Sequence, residues 1–155
     1  MRVHIGGDHA AYELLGELVA FLEGEGHEVT NHGPHAFDAQ DDYPVFVLRA
    51  AEAVAADPES LGVVLGGSGN GEQMAANKVS GIRAALCYDE ELARLAREHN
   101  DARVISIGAR MQAVEEAKAM VSTFLATPFS DEPRHRRRID MVSAYEADGS
   151  LPPLP

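Results

Sequence analysis

A single cysteine, Cys87, occurs in 155 residues. A disulfide within the chain needs two and a cysteine-based zinc site needs more, so both are excluded. Basic side chains are scarce: 13 Lys and Arg stand against 25 Asp and Glu, a formal net charge of -12. That balance argues against nucleic acid and against an anionic membrane as main partners. It leaves room for a small anionic ligand wherever a few Arg gather. No apolar run reaches the roughly 18 residues of a membrane span. The opening Met-Arg-Val-His-Ile runs straight into a strand-like segment, without the pattern of a signal peptide. The expectation is a cytoplasmic protein.

Hydrophobic residues make up 45% and charged residues 25% of the chain, a globular balance. The expected organisation is one domain over residues 1–150 and a loose, Pro-rich tail over 151–155. Short β-rich runs alternate with helical patterns. Residues 2–5 read as a strand stopped by Gly6 and Gly7. Leu14, Leu15, Leu18, Val19 and Leu22 recur at helical spacing within 12–25, which ends at Gly26. A weak strand over 28–31 and a polar loop over 31–42 follow. A helix over 43–56 carries Pro44 in its first turn. The remaining expected strands are 61–65, 82–87 and 103–107. The remaining expected helices are 72–79, 89–98, 114–125 and 133–146. Strands alternating with helices imply βαβ units and a mostly parallel sheet. The fold class is α/β: a three-layer, Rossmann-like fold with a five-stranded parallel sheet.

In such a sheet, ligands bind beyond the carboxyl ends of the strands. Three segments stand there: Gly7-Asp8-His9, Gly66 to Glu72, and Gly108-Ala109-Arg110. The second reads Gly66-Gly67-Ser68-Gly69-Asn70-Gly71-Glu72, with four glycines in its first six residues. Glycine there permits unusual backbone angles and close approach of a ligand. Successive N–H groups can then converge on one anionic oxygen, helped by the following helix. A nucleotide P-loop places Lys after its last glycine, but Gly71 is followed by Glu72, whose carboxylate would repel a triphosphate. The dinucleotide fingerprint also lacks its third glycine at the required spacing. A carboxylate beside an oxyanion-binding loop suits proton abstraction next to a carbonyl: the base takes the carbon-bound proton while N–H donors hold the enediolate. The competing reading leaves Glu72 as an acid favoured in a first helical turn.

Arg134-His135-Arg136-Arg137-Arg138 is a local basic cluster, and Arg134 and Arg138 share one helical face. Their forked guanidinium groups suit phosphate; the alternative is a solvated, salt-bridged surface. His9 follows Asp8 at a strand end and is a candidate contact for phosphate or hydroxyl. His99 and Asn100 close a helix ahead of the last strand, at the opposite edge of the sheet. Either they form a helix stop, or His99 acts as acid or base in the site of a neighbouring subunit.

Taken together, Gly7-Asp8-His9-Ala10, the glycine loop with Glu72, Asn77-Lys78, Arg97-Glu98-His99-Asn100 and the Arg134 to Arg138 cluster resemble the type B ribose-5-phosphate isomerases. That family is related to the galactose-6-phosphate isomerase subunits. The resemblance extends from Arg2 to about Tyr145 with the motifs in the family's order. It implies interconversion of D-ribose 5-phosphate and D-ribulose 5-phosphate without metal or cofactor. It also implies a homodimer, or a tetramer, with shared sites. Many members carry a catalytic cysteine near the glycine loop. Here Val64, Leu65 and Gly66 occupy that place, and Cys87 does not match it. The chain is therefore similar to the subgroup, mycobacterial enzymes among them, whose base is the Glu after the loop. The implied roles are Glu72 as base and His99 in ring opening. Asp8 and His9 contact the substrate, and Gly67, Ser68, Gly69, Asn70 and Gly71 hold the enediolate. Asn100 meets a sugar hydroxyl, while Arg110, Arg134 and Arg138 hold the phosphate. Two alternatives remain: an enzyme for a six-carbon sugar phosphate, and a non-catalytic nucleotide-binding module.

Overall fold

The computed structural model describes residues 1–154. Strands β1 (Arg2–Gly6), β2 (Glu28–Asn31), β3 (Ser60–Gly66), β4 (Ala84–Leu86) and β5 (Val104–Gly108) form one parallel sheet in the order β2-β1-β3-β5-β4. The helices are α1 (Tyr12–Gly24), α2 (Pro44–Ala56), α3 (Asn70–Ala76), α4 (Glu90–Asn100), α5 (Val114–Ala126) and α6 (Pro133–Asp148). A short 3-10 turn, His9–Ala11, precedes α1. The expected α/β architecture with five parallel strands is present.

Every residue of β3 and β5 is buried, as parallel strands covered on both faces require. Alternation along the strands sorts the core into two layers. Val3, Ile5, Val63, Leu65, Ile105 and Ile107 face Leu15 and Leu18 of α1 and Met120 and Phe124 of α5. Val64 and Val104 face Val47, Ala51 and Val54 of α2 and Ala76 of α3. Helix α1 therefore leaves β1 for one face, and α3 leaves β3 for the other. Since β1 and β3 are neighbours, a crevice opens between their carboxyl ends.

The end of α3 and the start of β4 depart from the sequence expectation for one shared reason. Asn77 Nδ2 donates to the carbonyls of Gln73, at 3.0 Å, and Ala84, at 2.9 Å, while its Oδ1 accepts from Ala84 N–H. The side chain ends α3 at Ala76 and ties a turn that takes in Ile82 and Arg83, so β4 is shorter than 82–87. Cys87 lies just past β4 rather than within a strand. It is fully buried, and burial pushes its thiol up to about 12, an inert position. Residues 151–154 form no regular structure, and Pro155 lies outside the described residues. No described helix is long and apolar enough to cross a membrane.

Arg103 ties the layers at the amino edge of the sheet. Its guanidinium donates to the carbonyls of Val54, Asp57 and Ser60. Arg103→Ala strands three part-buried acceptors and is expected to cost about 2–3 kcal/mol, read as a lower urea midpoint with an unchanged slope.

Candidate active site

The crevice between β1 and β3 holds a cleft of about 460 Å³ lined by Asp8, His9, Ala10, Tyr43, Gly67, Ser68, Gly71, Glu72, Arg110 and Met111. The three segments expected at one edge of the sheet do meet there. Register explains why: Gly66 pairs with Gly108, so β3 and β5 end level, and Gly6 pairs with Val64, so Asp8, two residues past β1, comes up beside the end of β3.

Glu72 is 4% exposed. Its carboxylate lies against Gly66, where any side chain would overlap it. Burial pushes its pKa above the ordinary 4.5, and the charge of Asp8 adds to this. The backbone N–H groups of Glu72 itself and of Gly69 pull it back. The result is a desolvated carboxylate, made a stronger base by burial and kept from full neutralisation by N–H donors. The loop that carries it is pinned from below. Gly69 adopts φ +82, a region glycine enters freely, and its carbonyl accepts from Ser106 Oγ on β5 at 2.7 Å. Among the described residues, the backbone N–H groups of Gly67, Ser68 and Gly71 have no acceptor. Ser68 Oγ instead receives Asn70 N–H and Nδ2, each at 3.3 Å.

On the opposite wall, Asp8 is 8% exposed and caps the 3-10 turn by accepting from Ala10 N–H. The His9 ring Nδ1 stands 2.7 Å from Asp41 Oδ1. That hydrogen bond raises the His9 pKa above 6.5, the charge of Asp8 adds to it, and burial and Arg110 oppose it. The donor atoms of Asp8, His9 and Asp41 lie within 4.8 Å of one another. Because His9 Nδ1 already faces the carboxylate at hydrogen-bond distance, we read this group as a bonded dyad beside Asp8 rather than a metal centre. Arg110 lies along Gly67 and makes no ion pair among the described residues. Its charge is available to a ligand.

His99, Asn100, Arg134 and Arg138 are not in this cleft. His99 and Asn100 end α4, at the amino edge of the sheet. The His99 ring lies 4.3 Å from the ring of His135 on α6. His135 is buried against Ser130 Oγ at 2.7 Å. Burial, His99 and Arg134 push its pKa down. Arg134 pairs with Glu132 at an exposed position. One chain thus carries the predicted residues as two groups on opposite sheet edges. Sequence reasoning missed Tyr43, whose ring packs over Gly71, together with Asp41 and Ser106. Only Ser106 left a signal, a polar residue inside an apolar strand.

The Ribose/Galactose Isomerase family model matches residues 3–142. The chain belongs to the ribose/galactose isomerase family. It is 54% identical to ribose-5-phosphate isomerase B of Mycolicibacterium paratuberculosis over 155 residues, covering 100% of this chain and 98% of that protein. Its fold matches the ribose-5-phosphate isomerase B of Clostridium thermocellum with TM-score 0.92 and 40% identity, covering 97% of this chain and 100% of that one. It also matches the Mycoplasma genitalium enzyme with bound ribulose-5-phosphate, with TM-score 0.91 and 37% identity over 95% and 97% of the two chains. Membership fits a cleft that combines a buried carboxylate, unpaired N–H donors and cations.

The raised pKa of Glu72 has a measurable sign. The folded state binds this proton more tightly than the unfolded chain, so stability falls as pH rises from about 4.5 through the folded pKa. Glu72→Gln removes that loss. Its melting temperature is expected to exceed that of the parent at pH 7.5, with the gap closing below pH 4.5; equal melting at both pH values would count against a strained, buried carboxylate.

Proposed function

We propose that this chain interconverts D-ribose 5-phosphate and D-ribulose 5-phosphate, with Glu72 as the base. The observation that carries the reading is the Glu72 carboxylate, buried against Gly66 beside loop N–H groups that have no partner among the described residues. Membership in the isomerase family supports it. So does the ribulose-5-phosphate bound to the Mycoplasma genitalium relative.

The open-chain aldose carries an acidic C2 proton beside its C1 carbonyl. Glu72 removes that proton, and the electron pair forms the C1–C2 double bond of a cis-enediolate. The negative charge develops on O1, within reach of the Gly67 to Gly71 segment, whose N–H groups and Asn70 side chain hold it. A proton passes from the C2 hydroxyl to O1, and the Glu72 carboxylic acid, or water, returns a proton to C1 as the C2 carbonyl forms. The enediolate charge is met by the loop N–H donors and the Asn70 side chain, so the step is assigned to protein groups without a metal. Asp8 and His9 contact the sugar on the facing wall, and Arg110 contributes to holding the phosphate.

Ring opening needs a proton moved from the anomeric hydroxyl to the ring oxygen. We assign this to His99 of a second copy, with Asn100 on a hydroxyl and Arg134 and Arg138 on the phosphate. The apolar side chains Met141, Val142 and Tyr145 of α6 are 40%, 62% and 55% exposed. A homodimer would cover them while bringing α4 and α6 of one copy to the cleft of the other.

Purified chain with EDTA is expected to isomerise ribose 5-phosphate, and to act more weakly on allose and galactose 6-phosphates. Binding of ATP without isomerisation would favour the nucleotide-binding alternative. Glu72→Gln is expected to lower kcat about a thousand-fold, in the range of a lost general base, with substrate binding largely kept. Mixing Glu72→Gln and His99→Asn chains should restore part of the activity after verified subunit exchange. No recovery would place both residues in one subunit.

A further inference from the structure

The sequence offers no motif at Asp41, and Asp41 does not line the cleft. Its side chain is only 9% exposed. One oxygen, Oδ1, accepts twice from the same residue: from the His9 backbone N–H at 2.9 Å and from the His9 ring at 2.7 Å. Two bonds from one residue to one atom fix both the backbone entry to the 3-10 turn and the rotation of the ring. The other oxygen, Oδ2, is buried without a partner. A buried carboxylate left half-satisfied is costly, and among the described residues the side chain hydrogen-bonded to it is the His9 ring.

We propose that Asp41 is a positioning residue of the site: it clamps His9 through Nδ1, leaving Nε2–H as the donor offered to an anionic oxygen of the ligand. The same arrangement, an imidazole whose second nitrogen is oriented by a carboxylate, fixes tautomer and direction in other sites. The groups that face His9 are Asp8 and Asp41, which favour its charge, and Arg110, which opposes it. The Phe37 ring meets the imidazole edge-on at 6.4 Å and adds no charge. The identity of the ligand as a sugar phosphate rests on the isomerase reading; the clamp itself does not.

Asp41→Asn keeps the size of the side chain and removes the charge. It is expected to raise KM for ribose 5-phosphate about ten-fold at neutral pH with kcat within about two-fold, the loss of one charge-assisted contact. The pH at which binding weakens should move down. In a His9→Asn background the same change should add nothing. Asp41→Glu, which keeps the charge one methylene away, should recover part of the KM. An unchanged KM and pH profile, or full additivity with His9→Asn, would overturn the proposal. NMR titration of the His9 ring reads the clamp without substrate: its pKa should fall in Asp41→Asn, and an unchanged titration would also overturn it. A parent chain inactive on ribose 5-phosphate would sink the isomerase reading alone, and the titration would still decide the clamp.

Discussion

The carboxylate of Glu72 occupies the space that a side chain at residue 66 would need. That contact ties the last residue of β3 to the first turn of α3, and the site is arranged around it. A glycine at the strand end lets the chain place an acid against the backbone, out of water, one step from a loop of N–H donors. Burial then acts on the acid in one direction and the donors in the other. The balance suits a group that must accept a proton and give it back.

The sheet turns this local contact into a site. β3 is bonded on one side to β1 and on the other to β5, so no strand of the three can slide without breaking a full ladder. A slip by one residue would also reverse which side chains enter which core layer. Asp8, the glycine loop and Arg110 therefore stay level. The Ser106 hydroxyl adds a vertical tie from β5 to Gly69. In a chain of net charge -12, the cations that matter are few and local. Arg110 lies on one side of the cleft and His9, backed by Asp41, on the other.

Most of the fold was legible in the sequence because its signals are local. The Leu spacing of α1, the buried run of β3 and the glycines that end strands each act within a few residues. The place of the glycine loop and Glu72 in the cleft was legible for the same reason: residue type and order alone set this loop apart from a P-loop. The lost boundaries depend on long-range hydrogen bonds. Asn77 reaches Ala84 and shortens β4, and a side-chain bond across seven residues leaves no periodicity to read. Asp41 was invisible for a stronger version of that reason. Its partner is 32 positions away, in a loop where any Asp passes for a turn former. Tyr43 stands at the start of α2, where nothing in the pattern separates a cleft wall from an exposed aromatic.

The separation of His99 from Glu72 follows from the height of the sheet. β5 has five residues, about 16 Å of extended chain, and His99 stands before its first residue while the cleft lies beyond its last. No rotation of an imidazole spans that distance. A parallel sheet delivers loops of only one kind, those after strands, to its carboxyl edge. A residue fixed at the end of a helix can reach that edge only from another copy. In the proposed dimer the polar cluster of His99, His135, Arg134 and Arg138 would meet the partner's cleft, which holds a buried base but one Arg. In that dimer each half would supply what the fold denies the other: one the buried carboxylate and the N–H donors, the other the histidine and the remaining Arg charge.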